Sequence, residues 1–190
     1  MSKPDLHLVN ETDEVERQFR SIMRRLAGGV SIITAGQGDD ITGMTVTSLT
    51  SLSATPPRLL VSIDRQASSF ALIQLYRSFG VNILGADQQE LAGRFSNSGL
   101  KGKQRFDGAA WSAGSSGVPL LEHSLATVEC RVEEIIERHS HGIIVGSLLS
   151  FDLSHRLSGL VYWNGQYIEI DHDTDLDRLA EVSIPLAHVR

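Results

Sequence analysis

From Asp13 the apolar residues Val15, Phe19, Ile22, Met23 and Leu26 recur at helical intervals, so the spacing predicts a helix with one face to bury. Gly28 and Gly29 stop it, because glycine leaves the helical region at little steric cost. Val30 to Thr34 then reads as a strand, and Gly36 to Asp40 as a turn into a second strand over Ile41 to Thr47. Pro56 and Pro57 interrupt the pattern before a third strand, Leu59 to Ile63. A helix over Ser68 to Ser78 carries Phe70, Leu72, Ile73 and Leu75, and Phe79 to Leu84 alternates as a strand. Asp87, with Glu90 three residues on, predicts a capped helix running to Phe95. Ser96 to Gly117 is rich in Gly, Ser, Lys and Asn and reads as a long surface loop. The last third predicts strands over Ala126 to Ile136, Gly142 to Phe151 and Leu160 to Glu169, the last folded back at Asn164-Gly165.

Strands, an inserted helical pair, then strands again suggest a closed antiparallel barrel with helices over one side; a two-layer α+β sheet is the alternative. At 190 residues one domain suffices. The reading divides the chain into a flexible tail over residues 1–12, a domain over 13–170, and an acidic tail over 171–190.

The net charge of −6 argues against a general grip on nucleic acid or anionic lipid. No run of 18 apolar residues exists, and the polar N-terminus lacks the pattern of a secretory leader. A single cysteine, Cys130, excludes an internal disulfide framework. The cytoplasm is the simplest location.

Most motif-like features carry no chemistry. Gly36-Gln37-Gly38 lacks the third glycine and following helix of a dinucleotide fingerprint, so a nicotinamide cofactor would have to bind without a Rossmann unit. Gly114-Ser115-Ser116-Gly117 lacks the flanking strand and helix of a nucleophile elbow. Asp171, Asp173, Asp175 and Asp177 place Leu176 and Val182 where a calcium loop needs glycine and glutamate. His139 and His141 have no further ligands nearby, so no metal site is expected. Trp111, Trp163 and Tyr167 read as core or hairpin residues. Thr42 to Thr55 is different: it holds eight Ser or Thr residues. A strand with one solvated face would explain them, and so would hydroxyls and backbone N–H groups gathered to bind a small phosphorylated heterocycle.

Gly43-Met44-Thr45-Val46-Thr47-Ser48, then Ser51-Leu52-Ser53 and Pro56-Pro57, resembles the flavin reductase-like domain family, the reductase partners of two-component monooxygenases. The similarity continues through Leu91-Ala92-Gly93-Arg94-Phe95-Ser96, Arg105-Phe106-Asp107-Gly108, His141-Gly142-Ile143 and Leu160-Val161-Tyr162-Trp163, and spans about residues 17–168. The resemblance implies an FMN-binding split β-barrel, usually a homodimer, with FMN or FAD at the subunit junction and NADH or NADPH as hydride donor. It implies Met44, Thr45, Val46, Thr47 and Ser48 along the isoalloxazine, and Ser53 toward the ribityl chain or phosphate. Arg94, Phe95 and Ser96 would form the phosphate end, Tyr162 would line the flavin site, and His141 would serve the nicotinamide. Where the family often has Asp-His-Thr, this chain has Ser140-His141-Gly142, without that hydroxyl. The lack of an arginine cluster for a 2′-phosphate points to NADH. Two other functions fit the same barrel: an oxidase of a phosphorylated vitamer such as pyridoxamine phosphate, using Lys101, Lys103 and Arg105 for a second phosphate, and a flavin-binding module without turnover.

Overall fold

A computed structural model describes residues 12–171, so the two tails expected at the chain ends lie outside the described residues, apart from the boundary residues Thr12 and Asp171. The elements are α1 (Thr12–Met23), β1 (Gly28–Gly29), β2 (Ser31–Gln37), β3 (Asp40–Val46), β4 (Thr50–Ala54), β5 (Pro57–Asp64), α2 (Ser68–Tyr76), β6 (Ser78–Ile83), α3 (Gln89–Ser96), β7 (Trp111–Ala113), β8 (Pro119–Leu121), β9 (Ala126–Arg138), β10 (His141–Leu153), β11 (Gly159–Trp163) and β12 (Gln166–Ile170). Seven strands form one sheet in the order β3-β2-β6-β9-β10-β5-β4. All its pairings are antiparallel.

The closed barrel expected from the order of the elements is not formed, and the open sheet agrees with the split barrel that the family resemblance implies. β3 and β4 end the order without pairing to each other, so the sheet is split between them. That gap falls at the Ser/Thr-rich stretch, which is divided between β3, a short connection and β4.

Burial explains the two layers on the sheet. β2 is covered on both faces: Ile33 and Ala35 enter one core with Val61, Ile63, Phe79 and Ile144, closed by Phe70 and Ile73 of α2. Ile32, with Val30, enters a second core with Leu84, Phe95 of α3, Phe106 and Leu160. Alternate residues of one strand point to opposite faces, so a near-continuous apolar run is what a doubly covered strand requires.

Three local expectations are corrected. Asp87 does not cap α3; its carboxylate takes the Arg156 guanidinium at 2.6 Å, while Gln88 Oε1 accepts the Gly85 N–H at 2.9 Å. Gly28 and Gly29 do not end α1, which stops at Met23; they pair with Tyr162 and Val161 as β1. Residues 96–117 are not simply a surface loop: they carry β7, and Phe106 is buried. Phe106 and Trp111 stack edge-on at 4.9 Å, and each meets Phe95, so three rings fasten the segment to α3. The Asn164-Gly165 hairpin forms as expected, with φ of 50° and 86°.

Candidate functional site

Of the sequence-predicted residues, Met44, Thr45, Val46, Thr47 and Ser48 lie at the end of β3 and just beyond it. Gly43 and Thr45 face α3: a Cβ on Gly43 would lie 2.7 Å from Phe95 Cε1, and Thr45 Oγ1 donates to the Ala92 carbonyl at 2.6 Å. Only glycine lets the helix pack this closely, and Thr45 then bolts it in place. Met44 faces the other way, its sulfur accepting the Ser69 hydroxyl at 3.1 Å. Val46 and Phe95 are core residues, 6% and 1% exposed, so they shape the site through backbone and packing rather than by touching a ligand with their tips.

Beyond Val46 the chain leaves the ladder. Ser48 Oγ donates to the Ser62 carbonyl of β5 at 2.8 Å, spanning the split in the sheet. The backbone N–H groups of Thr47, Ser48 and Leu49 meet no acceptor among the described residues. Three successive unpaired donors at a strand end are a ready cradle for the carbonyls and ring nitrogens of a flat heterocycle. Thr47 is exposed, and an added Cβ on Gly28 would lie 3.0 Å from its Cβ. Gly28 is paired with Tyr162, whose ring packs on Tyr167 at 5.4 Å, so Tyr162 belongs to this neighbourhood.

His141 opens β10 opposite Asp64, two residues along β5 from Ser62. β10 and the Ser48 connection flank β5 on opposite sides, so two strand spacings and two residues of rise put its backbone about 12 Å from that of Ser48. Its Nδ1 lies 2.8 Å from Ser140 Oγ, and the side chain is otherwise exposed.

Arg94 sits on the last turn of α3, two residues beyond the carbonyl that Thr45 holds. Its Nη2 donates to the Gln104 carbonyl at 3.0 Å and lies 3.5 Å from the Asp107 carboxylate. It lines a cavity of about 360 Å³ with Leu91, Asp107 and His123. Ser96 is exposed and bonds back to the Gly93 carbonyl at 2.9 Å. Ser53 lines a cavity of about 520 Å³ together with Leu49, Ser51 and Leu148; it pairs with Arg58 in the β4–β5 hairpin, and its Oγ accepts the Thr55 N–H at 3.2 Å.

In the sequence Arg105 stands out only within Arg105-Phe106-Asp107-Gly108 and as a cation for a second phosphate. Its guanidinium is buried enough to pull its pKa down. It donates to the carbonyls of Leu100, Gly43 and Phe95, clamping the 96–105 segment across β3 and α3. No carboxylate balances it among the described residues. With Thr42, Gln66, Ser68 and Lys101 it lines a cavity of about 600 Å³ beside β3. The signal was available: Phe106 and Trp111 give residues 96–117 apolar anchors that a composition reading overlooks.

The family model described as flavin reductase like domain matches residues 23–171. The FMN reductase (NADH) of Cronobacter sakazakii is 30% identical over 80% of this chain and 91% of its own length. The reductase component of an FADH(2)-dependent resorcinol hydroxylase from Rhizobium is 35% identical over 80% of this chain and 86% of its own. Among solved structures, a Streptomyces globisporus NADH:FAD oxidoreductase in complex with NAD and FAD fragments superimposes with a TM-score of 0.78 at 27% identity, covering 90% of this chain and 100% of that one.

Proposed function

The chain belongs to the flavin reductase-like domain family, and from that premise we propose that it uses NADH to reduce FMN or FAD and passes the reduced flavin to a monooxygenase component. The observation that carries this reading is the run of N–H donors at Thr47, Ser48 and Leu49 that meet no acceptor among the described residues. Flavin, once bound, supplies the two-electron acceptor; the protein's task is placement.

Each residue group has a share in that placement. The N–H groups of Thr47 to Leu49 would donate to the polar edge of the ring, where negative charge grows on reduction. The hydroxyls of Thr45 and Ser48 already donate to protein carbonyls, so they fix the strand end instead of reaching for the ligand. Thr47 is exposed, and its hydroxyl meets no partner among the described residues. Arg94 is the proposed phosphate partner, with Ser96 beside it, and Tyr162 closes the side nearest β1. His141, at the mouth of the β9–β10 hairpin, would orient the nicotinamide ribose or diphosphate against the ring. A second copy of the chain would cover α1, where Phe19 is 59% and Ile22 64% exposed, and complete the site as a homodimer. We place the protein in the cytoplasm; among the described residues no helix is long and apolar enough to cross a membrane.

The test is steady-state oxidation of NADH in air with and without added FMN or FAD. NADH loss that depends on flavin and saturates with it supports the reading. Turnover of pyridoxamine phosphate without NADH would favour the vitamer oxidase, and flavin binding without NADH oxidation would favour a carrier.

A further inference from the structure

On the sheet's outer face, a cavity of about 330 Å³ lies where α2 hands over to β6. Its lining includes Tyr76, Arg77, Ser78, Ser115, Ser116 and Arg131. Arg131 of β9 stands directly opposite Ser78 of β6, so the two share a face. Neither Arg77 nor Arg131 joins an ion pair among the described residues. Arg77 has only a long contact from Nη2 to the Val132 carbonyl, 3.5 Å, and both side chains are exposed at the rim.

Below them lie the two buried side-chain oxygens that have no hydrogen-bond partner among the described residues, Ser78 Oγ and Ser116 Oγ. Ser78 is the firmer case, 4% exposed with its hydroxyl meeting nothing. Ser116 Oγ lies near the Glu129 carboxylate without hydrogen-bonding geometry. A buried hydroxyl without a partner costs about 1–3 kcal/mol, so its persistence under two unpaired cations calls for a ligand rather than a packing reason. Two charges of the opposite sign stand nearby. Glu129 is saturated by donors from Ser115, Ser116 and Ser150, and Asp40 takes the Tyr76 hydroxyl at 3.1 Å. The arginines face the opening, and Glu129 lies buried behind the Ser115–Ser116 turn.

We propose that this cavity binds a phosphate-type oxyanion, free or as a phosphate monoester, held by Arg77 and Arg131 with Ser78 donating from the floor. It is a second site. Ser78 opens β6, whose far end at Ile83 pairs with Ser31 opposite Val46. Five residues of strand put about 17 Å between it and the region of Thr47. Binding would tie the α2–β6 turn to the Ser115–Ser116 turn without touching turnover.

The test is thermal unfolding of the full chain, saturated with FMN so that any phosphate position at the flavin site is filled. Inorganic phosphate is compared with chloride at matched ionic strength and pH, and glycerol phosphate is the monoester arm. At tenfold excess over Kd the wild-type midpoint should rise by about 3–6 °C. The rise should fall below about 1 °C in Arg77→Gln/Arg131→Gln, with flavin reduction retained as evidence of folding. Ser78→Ala should weaken phosphate about tenfold or more while leaving the unliganded midpoint unchanged or higher, since it removes a buried unpaired group. A response to both ligands marks an open site for monoesters, and a response to inorganic phosphate alone marks a closed one. A wild-type midpoint that is the same in phosphate and chloride, or a double variant that responds like wild type, overturns the proposal. The shift is measurable whether or not the protein reduces flavin.

Discussion

Replacing Glu129 with Gln should loosen the turn at Ser115–Ser116 and change how stability depends on pH. Glu129 is fully buried on β9, and its partners are donors: the Ser115 and Ser116 N–H groups at 3.1 and 2.6 Å, and the Ser115 and Ser150 hydroxyls at 2.9 and 2.8 Å. Burial pushes its pKa up, but the contacts with Ser116, Ser150 and Ser115 outweigh it and bring the value from 4.5 down to about 2. One pKa unit corresponds to about 1.4 kcal/mol, so ionised Glu129 contributes on the order of 3 kcal/mol at neutral pH. A depressed carboxylate pKa gives stability that is fully present above about pH 5 and is lost as pH falls toward 2. About 1.4 kcal/mol of it is gone by pH 3.5. Glutamine cannot replace the carboxylate, because each oxygen accepts a backbone N–H and one would become an NH₂ facing that donor. Urea unfolding of wild type and Glu129→Gln from pH 7 to pH 3.5 reads this out. The gap should be about 2–4 kcal/mol at pH 7 and narrow by roughly 1.4 kcal/mol at pH 3.5. Equal stability at pH 7, or a gap that does not change with pH, would refute the reasoning.

Arg94→Ala should weaken FMN binding tenfold or more while leaving riboflavin, which has no phosphate, nearly unaffected, as read by flavin fluorescence titration. Equal FMN affinity in both proteins would move the phosphate to the Arg105–Lys101 cavity. Gly43→Ala should destabilise the fold by about 1–3 kcal/mol in urea, since the new methyl meets the Phe95 ring and the Ile33 carbonyl, 2.9 Å away. Light scattering should give a dimer mass for wild type and a lower mass for Phe19→Asp; a monomeric wild type with full activity would contradict the dimer.

The strands and helices were legible where one face is buried against water. α2, β6, β9, β10 and the Asn164-Gly165 hairpin follow from period and turn chemistry alone. The split in the sheet came only from the family resemblance and not from hydrophobic period, because edge pairing between β3 and β4 depends on long-range geometry that no local pattern encodes. The aromatic clasp of Phe95, Phe106 and Trp111 was hidden by the polar composition around it. Motif likeness brought the residues from Met44 to Ser48 into one place, but their duties are divided in a way the residue names do not reveal. The hydroxyls of Thr45 and Ser48 hold the scaffold, and it is the main chain of residues 47–49 that stays free. Ser53 holds the turn at Thr55 through its Oγ and also lines one cavity with Leu49, a placement that its Ser and Thr neighbours in the sequence do not reveal.

The central claim is that this chain transfers a hydride from NADH to flavin. Anaerobic mixing of the protein with FMN or FAD and excess NADH, followed at the flavin visible band, tests it most directly. The account predicts complete bleaching far faster than in a protein-free mixture, and restored absorbance when oxygen is admitted. Flavin that stays oxidised with both flavins, at concentrations where it binds, would contradict it.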